Sequence, residues 1–144
     1  MKKPTRKSLV IKLDTIFSQY IRRKDAIDEI AICVTCGKKE HYKKLQCGHF
    51  MSRRHYSTRW DENNVAVQCY GCNITNQGMQ YAFSKYLTQF DNNLPDNLLI
   101  KSKQIVKFAD VDLIEMIEYY NNKVNELGYH TLRTAFKSFF VFVC

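Results

Sequence analysis

The spacing of apolar residues predicts three amphipathic helices. Near the N-terminus, and again over residues 80–90, apolar positions recur every three or four residues, which is the period of one helical face. The cluster Asp91-Asn92-Asn93 with Pro95 is expected to stop the second helix. The third helix begins at Asp110, a suitable N-cap, and Gly128 is expected at its C′ position. The apolar positions of the three helices are Leu9, Leu13, Ile16, Phe17 and Tyr20; Tyr81, Phe83, Tyr86, Leu87 and Phe90; and Ile114, Ile117, Val124 and Leu127.

Shorter apolar stretches lie between and after these helices. Residues 31–34 lead into a pair of cysteines, and Asn63-Asn64 predicts a turn before a short strand at Val65-Ala66-Val67. The stretch FFVFV at residues 139–143 is interpreted as a buried strand or an oligomer contact, because it would promote aggregation if it were exposed.

The charge of the chain indicates a polyanionic partner. At 144 residues with 45% hydrophobic content, the chain is long enough for one domain with a buried core. Its formal net charge is +8, and residues 38–59 contain seven basic residues against one acidic residue, Glu40. Nucleic acid is the first candidate for the partner.

Two absences in the sequence bear on where the protein functions. No apolar run approaches the roughly 20 residues that span a bilayer, and no secretory leader is recognisable. We therefore expect a cytoplasmic protein with no membrane partner. Thiols remain reduced in that compartment, so the six cysteines indicate metal binding rather than disulfides.

Two Cys-x-x-Cys pairs predict a structural zinc site. Cys33 and Cys36 form the first pair, Cys69 and Cys72 the second, and 32 residues (37–68) separate them. Four thiolates at such spacing can complete a tetrahedral zinc shell with no open position for catalysis. The alternative is two redox-active or unrelated cysteine pairs. Cys47 has no evident partner and is more often a small buried residue than a nucleophile, although the nearby His49 keeps that second role open.

Several ordered motifs in the middle of the chain resemble known nucleases. His49, Asn64 before the second cysteine pair and Asn73 directly after it resemble the HNH nuclease motif in its H-N-N form. The stretches FSQYIRRKDA, CVTCGK, QCGHFMSR and TRWDENNVAVQCYGCN are similar to the bacteriophage NinG (Rap) recombination proteins. This resemblance covers roughly residues 13–90.

The resemblance implies both a fold and an activity. The fold would be α+β, with a small zinc-stapled ββα-metal core at residues 30–90, a basic helical extension at 1–29 and a helical segment with an apolar tail at 91–144. The activity would be that of a metal-dependent, structure-selective DNA endonuclease acting on branched recombination intermediates such as Holliday junctions or D-loops. It further implies a phage or prophage protein in a bacterial host.

The chemistry of phosphodiester hydrolysis suits these residues. His49 can deprotonate water near neutral pH, and the side-chain oxygen of Asn73 can bind a hard cation such as Mg²⁺ or Mn²⁺. In the family, the residue at Asn64 holds the loop that carries the general base. Many HNH enzymes place an acid or a second His just before that base, where this chain has Gly48. The second metal ligand therefore stays open among three candidates: Gln46, His55 and Asp61.

Further expectations concern the partners. Arg53, Arg54 and Arg59 are interpreted as phosphate contacts, and a two-fold homodimer would suit cleavage of both strands of a symmetric junction. Taken singly, His49 could be a structural histidine and Asn73 a left-handed residue that closes the knuckle. Two other functions remain open: a non-catalytic zinc-stapled nucleic-acid-binding module, and a sequence-specific HNH nuclease.

Overall fold

The computed structural model describes the backbone of residues 3–140 and the side chains of residues 3–128. This part of the chain confirms the α+β class, with helices surrounding two small antiparallel sheets. The helices are α1 (Arg6–Lys24), α2 (Tyr56–Arg59), α3 (Gln80–Leu87), α4 (Leu94–Ser102) and α5 (Asp110–Phe140), and the strands are β1 (Ile30–Ile32), β2 (Lys39–His41), β3 (Gln46–His49) and β4 (Val65–Gln68). None of the helices within the described residues is long and apolar enough to cross a bilayer.

Helix α1 forms where the apolar spacing predicted it and packs on two other parts of the chain. Thr5 caps its N-terminus by accepting a hydrogen bond from the Ser8 N–H at 3.2 Å. An Arg6–Asp110 ion pair of 3.1 Å joins the first turns of α1 and α5, so the two helices start side by side. The core that α1 shares with α5 and the middle segment consists of Leu9, Leu13, Phe17, Ile21, Trp60, Val65, Leu113, Ile117 and Tyr120.

The C-terminal helix is longer than the sequence predicted. The prediction of a helix end at Gly128 is wrong, because α5 continues through this residue to Phe140. Gly128 does not have the positive φ that a glycine C-cap requires. Phe139 and Phe140 are helical, which contradicts the strand interpretation for these two residues. The rest of FFVFV and the proposed oligomer contact lie outside the described residues.

Helix α4 was missed in the sequence. Helix α3 ends at Leu87, before the polar cluster at residues 91–93 that was expected to stop it. Pro95 then lies in the first turn of α4, where proline's fixed φ and missing N–H are well tolerated. Leu98 of α4 packs with Phe83 and Leu87, so the two helices share a small apolar core.

The two sheets are hairpins that bring the cysteine pairs together. Strands β1 and β2 pair with Ala31 opposite Glu40, and the first Cys-x-x-Cys pair lies in the turn between them. Strands β3 and β4 pair with Gly48 opposite Ala66 and His49 opposite Val65. The turn and short strand expected around residues 63–67 are confirmed. The second cysteine pair directly follows β4.

Strand β4 lies at the centre of the molecule, with all four residues buried. Val65 packs in the core of α1 and α5, Ala66 in that of α3 and α4, and Val67 among the cysteines. Gln68 is fully buried, and its Nε2 donates to the Gly78 carbonyl at 2.8 Å and to Thr35 Oγ1 at 3.4 Å. This one side chain therefore joins the first knuckle to the loop after the second.

Gly48 is required because the Gln68 side chain occupies the space beside it. A Cβ at position 48 would lie 2.1 Å from Gln68 Oε1 and 2.7 Å from its Cδ. Since Gln68 is enclosed and hydrogen-bonded, it has little freedom to move away. No larger residue fits before His49, so this fold leaves no room for an acidic or histidine side chain at position 48.

We predict that Gly48→Ala lowers the free energy of unfolding by about 2–4 kcal/mol, since it combines overpacking with the loss of buried Gln68 hydrogen bonds. Gly128→Ala is the matched control. Its Cβ meets nothing within 4 Å inside α5, so it should stabilise the protein by about 0.5–1 kcal/mol. Denaturant unfolding measures both values. Equal stability of Gly48→Ala and the unsubstituted protein would contradict the proposed clash.

Candidate functional site

The four predicted cysteine ligands meet in space. The Sγ atoms of Cys33, Cys36, Cys69 and Cys72 all lie within 4.8 Å of one another, and those of Cys36 and Cys69 are 3.8 Å apart. A tetrahedral zinc ion with Zn–S bonds of about 2.3 Å places its sulfurs about 3.8 Å apart. The group could therefore hold a metal ion such as zinc. Such an ion would join the two hairpins and leave no ligand position for substrate.

Backbone hydrogen bonds shape both knuckles. In the first, Gly37 adopts a left-handed φ of +75° and its N–H donates to the Cys33 carbonyl at 2.8 Å. The Val34 N–H donates to the Val67 carbonyl at 2.9 Å, which fixes the first knuckle against β4. In the second, the Asn73 N–H donates to the Cys69 carbonyl at 2.9 Å, and Asn73 lies in the middle of the helical turn Gly71–Thr75.

The thiols of the cluster have different environments. Burial acts to raise the pKa of Cys33, but hydrogen bonds from Thr35 and backbone groups outweigh it and lower the pKa to about 6. Burial raises the pKa of Cys72 to about 12. The protein alone therefore favours one thiolate and disfavours another. A bound Zn²⁺ would supply the positive charge that allows all four to ionise.

A cleft of about 490 Å³ lies beside the second hairpin. Its walls come from α1, β3, the loop after β3 and the helical turn after the second knuckle. The polar side chains that line it include Ser18, Arg22, Gln46, His49, Arg53 and Asn73. Two of the three predicted catalytic residues, His49 and Asn73, thus share one cavity. The third, Asn64, is fully buried and does not line the cleft.

His49 is held in a defined tautomer. Its Nε2 lies 2.9 Å from the Arg59 carbonyl, and because a carbonyl only accepts, Nε2 must carry the proton. The other ring nitrogen, Nδ1, is then the unprotonated one. Burial lowers the pKa of His49 and the charge of Arg53 acts in the same direction, against the carbonyls of Arg59 and Cys47. The ring is therefore neutral near pH 7, the form in which a histidine accepts a proton.

Asn64 braces the loop that carries the Arg59 carbonyl. This fully buried side chain donates from Nδ2 to the carbonyls of Met51 and Thr58, each at 2.9 Å. Its Oδ1 accepts from the Met51 N–H at 2.7 Å. One amide thus joins the beginning of the loop to its short helix, which is the kind of bracing that the resemblance implied for this position.

Asn73 and Gln46 form an amide pair in the cleft. Asn73 Nδ2 donates to Gln46 Oε1 at 2.7 Å. Asn73 does not have a positive φ, so the interpretation of it as a left-handed residue closing the knuckle is wrong. Of the three candidates for a second metal ligand, Gln46 alone lines this cleft. Asp61 pairs with Lys101 at 2.7 Å, and His55 is exposed outside it.

The three predicted phosphate-binding arginines have different surroundings. Arg59 makes a two-point contact with Asp14, at 3.0 Å from Nε and 2.6 Å from Nη2, and its Nη1 donates to the Arg53 carbonyl at 3.0 Å. Three of its five N–H donors are occupied and Asp14 neutralises its charge, so these contacts favour a structural role for Arg59 over the predicted phosphate contact. Arg53 lines the cleft, whereas Arg54 is exposed outside it.

Asp14 was missed in the sequence analysis. Besides holding Arg59, its Oδ1 accepts from Trp60 Nε1 at 2.9 Å, so one α1 carboxylate fixes two consecutive residues of the loop. No local signal indicated this contact, because its partners lie 45 and 46 positions away.

Cys47 also lines the cleft, but its thiol is not suited to covalent catalysis. Burial raises its pKa to about 12, despite the opposing charges of Arg22 and Arg53. The thiol is therefore neutral at physiological pH, which favours the interpretation of Cys47 as a small buried residue.

Fold and site together define an α+β protein in which a cluster of four cysteines that could hold a metal ion lies beside a polar cleft. The family model described as "Bacteriophage Lambda NinG protein" matches residues 2–129, and the chain belongs to this family. No curated protein and no solved structure matches the chain.

We predict that removal of the metal destabilises the protein by a large amount, since zinc binding at such sites supplies on the order of 10 kcal/mol of folding free energy. Purified protein should contain one zinc per chain, and Cys69→Ser should lose it together with the cooperative thermal transition. Cys47→Ser is the matched control and should keep the zinc. Elemental analysis combined with thermal unfolding measures this. Full zinc content in Cys69→Ser would contradict a four-thiolate site.

A second prediction concerns pH. Because the pKa of His49 is lower in the folded chain than its ordinary value near 6.5, the folded state resists protonation. This contribution to stability is complete above about pH 6.5 and is lost as the pH falls through the lowered folded pKa. With zinc saturating, the unsubstituted protein should lose more unfolding free energy between about pH 7.5 and pH 5.5 than His49→Gln. His55→Gln, altered at an exposed histidine, should behave like the unsubstituted protein.

Proposed function

We propose that this protein is a metal-dependent DNA endonuclease of the HNH type, with residues 30–90 as its core. The supporting observation is the cleft. In it, neutral His49, with Nδ1 unprotonated, lies beside the Asn73–Gln46 amide pair, and Arg22 and Arg53 line the same cavity. Strands β3 and β4 and the turn at Gly71–Thr75 follow one another in the order of a ββα-metal core.

In this proposal His49 is the general base. Nδ1 accepts a proton from a water molecule as that water attacks the scissile phosphorus, and the bond to the leaving 3′ oxygen breaks. The Arg59 carbonyl keeps the proton on Nε2 and stabilises the positive charge that develops on the ring. Asn64 and Asp14 contribute indirectly, because they hold the loop that positions this carbonyl.

The donors in the cleft fit a hard divalent cation. The side-chain oxygens of Asn73 and Gln46 would hold Mg²⁺ or Mn²⁺, both of which accept oxygen ligands. Such an ion, when bound, stabilises negative charge on the phosphate and on the leaving oxygen. Among the described residues no carboxylate lines the cleft, so two neutral amides would bind the ion weakly. Phosphate oxygens of the substrate are then needed to complete its coordination.

The substrate class comes from the family and from the charge. Membership of the NinG family supports a role in phage recombination, and hence branched DNA such as a Holliday junction or D-loop as the preferred substrate. The net charge of +8 supports a nucleic acid partner. A homodimer would offer one cleft to each strand of a symmetric junction.

The second candidate is a non-catalytic zinc-stapled nucleic-acid-binding module. The observation that favours it is the cleft itself, which presents two neutral amides and no carboxylate as ligands for a catalytic ion. The tautomer of His49 favours the nuclease, since a binding module has no need for an unprotonated Nδ1 beside two arginines.

We predict that the protein cuts branched DNA in Mg²⁺ or Mn²⁺ and is inactive in EDTA. The assay compares linear duplex, single-stranded, D-loop and four-way-junction DNA of matched sequence. His49→Ala should lower the cleavage rate by about 10²–10⁴-fold, the usual contribution of a general base. His55→Ala should cleave normally, because it alters an exposed histidine outside the cleft.

Each other outcome has a defined meaning, provided that both variants keep one zinc per chain. Normal binding without cleavage in any ion would support the binding module. Equal cleavage of linear and branched DNA would remove structure selectivity but keep the nuclease. Cleavage at one sequence in every substrate would indicate a sequence-specific enzyme.

A further inference from the structure

Arg22 of α1 is held in a fixed orientation at the wall of the cleft. Its Nε donates to the Ser18 carbonyl at 3.1 Å. Its Nη1 lies 3.3 Å from the Tyr42 carbonyl and 3.4 Å from the Leu45 carbonyl, in the turn that precedes β3. These bonds immobilise the guanidinium while Nη2, with two N–H donors, makes none of them. The side chain has therefore already lost most of its rotational freedom before any ligand binds.

The charge of Arg22 is not neutralised by the protein. Within the described residues Arg22 has no carboxylate in ion-pair contact, and no carboxylate lines the cleft. Arg59, which the sequence suggested as a phosphate contact, is the opposite case, because Asp14 neutralises it. A part-buried guanidinium bonded only to carbonyls keeps its full positive charge, which favours an anionic ligand nearby.

Arg22 and Arg53 contribute positive charge to the same cavity from different elements. Arg22 comes from α1 and Arg53 from the loop after β3, and both line the cleft together with His49. The cavity therefore combines two positively charged side chains with the proposed general base.

We propose that Arg22 binds a backbone phosphate of DNA in the cleft, and that with Arg53 it positions the strand beside His49. This rests on the proposed function, since it names a phosphate-binding residue of the same site. A guanidinium presents paired N–H donors that match two phosphate oxygens, and its prior immobilisation reduces the entropy lost on binding. Helix α1 is accordingly part of the substrate site.

The competing explanation is that Arg22 only stabilises the turn at residues 42–45 through its carbonyl bonds. The dependence of DNA binding on salt separates the two roles. Each phosphate contact contributes about −0.9 to the slope of log K against log salt concentration, and a purely structural residue contributes nothing. Binding is measured in EDTA with a labelled four-way junction, so the readout does not require cleavage.

Arg22→Ala should reduce the magnitude of the salt slope by about one. Arg23→Ala is the matched control: it removes the same charge from the next position of α1, where the side chain lies over the Tyr42 ring outside the cleft, and should leave the slope unchanged. An unchanged slope in Arg22→Ala, or an equal loss in Arg23→Ala, would overturn the proposal.

A second pair of variants covers the case in which Arg22→Ala fails to fold. Ser18→Glu keeps every Arg22 hydrogen bond to carbonyls and adds a carboxylate four residues earlier on the same helix, where it can pair with the guanidinium. It should reduce the slope by about one, while Thr15→Glu, which adds the same charge at an exposed position outside the cleft, should not. Equal slopes in these two variants would refute the assignment.

The test also separates this proposal from the nuclease proposal. If no ion supports cleavage but Arg22→Ala still reduces the slope, the nuclease is refuted and Arg22 remains a phosphate contact of a binding module. If cleavage occurs and Arg22→Ala binds with an unchanged slope, the nuclease stands and Arg22 is structural.

Discussion

The pairing of β3 with β4 is the constraint on which the site depends. It places His49 at the end of one strand and the second cysteine pair at the end of the other, and it works because Gly48 leaves room for the buried Gln68 side chain. Strand β4 contacts all three apolar clusters of the described chain, so its position is set from several directions. A shift of one residue in this pairing would turn His49 away from the cleft, since successive strand residues face opposite sides.

Polar contacts of the loop at residues 50–64 fix the part of the site that the strands do not. Asn64 holds the loop from inside, while Asp14 holds it from α1 through Arg59 and Trp60. These contacts converge on the Arg59 carbonyl, the group that sets the tautomer of His49. The four-cysteine cluster acts at the other end of β4, where it places Asn73. The cleft is thus formed between two independently fixed ends of one hairpin.

The features that sequence predicted correctly are those encoded by local patterns. Helical spacing indicated α1, and the paired Cys-x-x-Cys motifs indicated a cluster that the fold does assemble. The predictions were wrong where contacts between distant residues determine the structure. Gly128 is a typical helix terminator, yet the chain there stays helical, and Pro95 was treated as the end of one helix when it begins another. The ion pair of Arg59 with Asp14 depends on contacts between segments far apart in the chain. The same is true of the position of Gln46, rather than Asp61, in the cleft. No local pattern encodes such contacts.

A carbonyl oxygen belongs to the main chain and is the same whichever amino acid carries it. The hydrogen bond that fixes the tautomer of His49 therefore places a requirement on where residue 59 lies and none on its side chain. The side chain at position 59 forms an ion pair with Asp14 instead. Positions 14 and 59 are therefore coupled, because a change at either removes the ion pair that joins this part of the loop to α1. A substitution at position 59 alone would remove the ion-pair partner of Asp14 even if the carbonyl of residue 59 stayed in place.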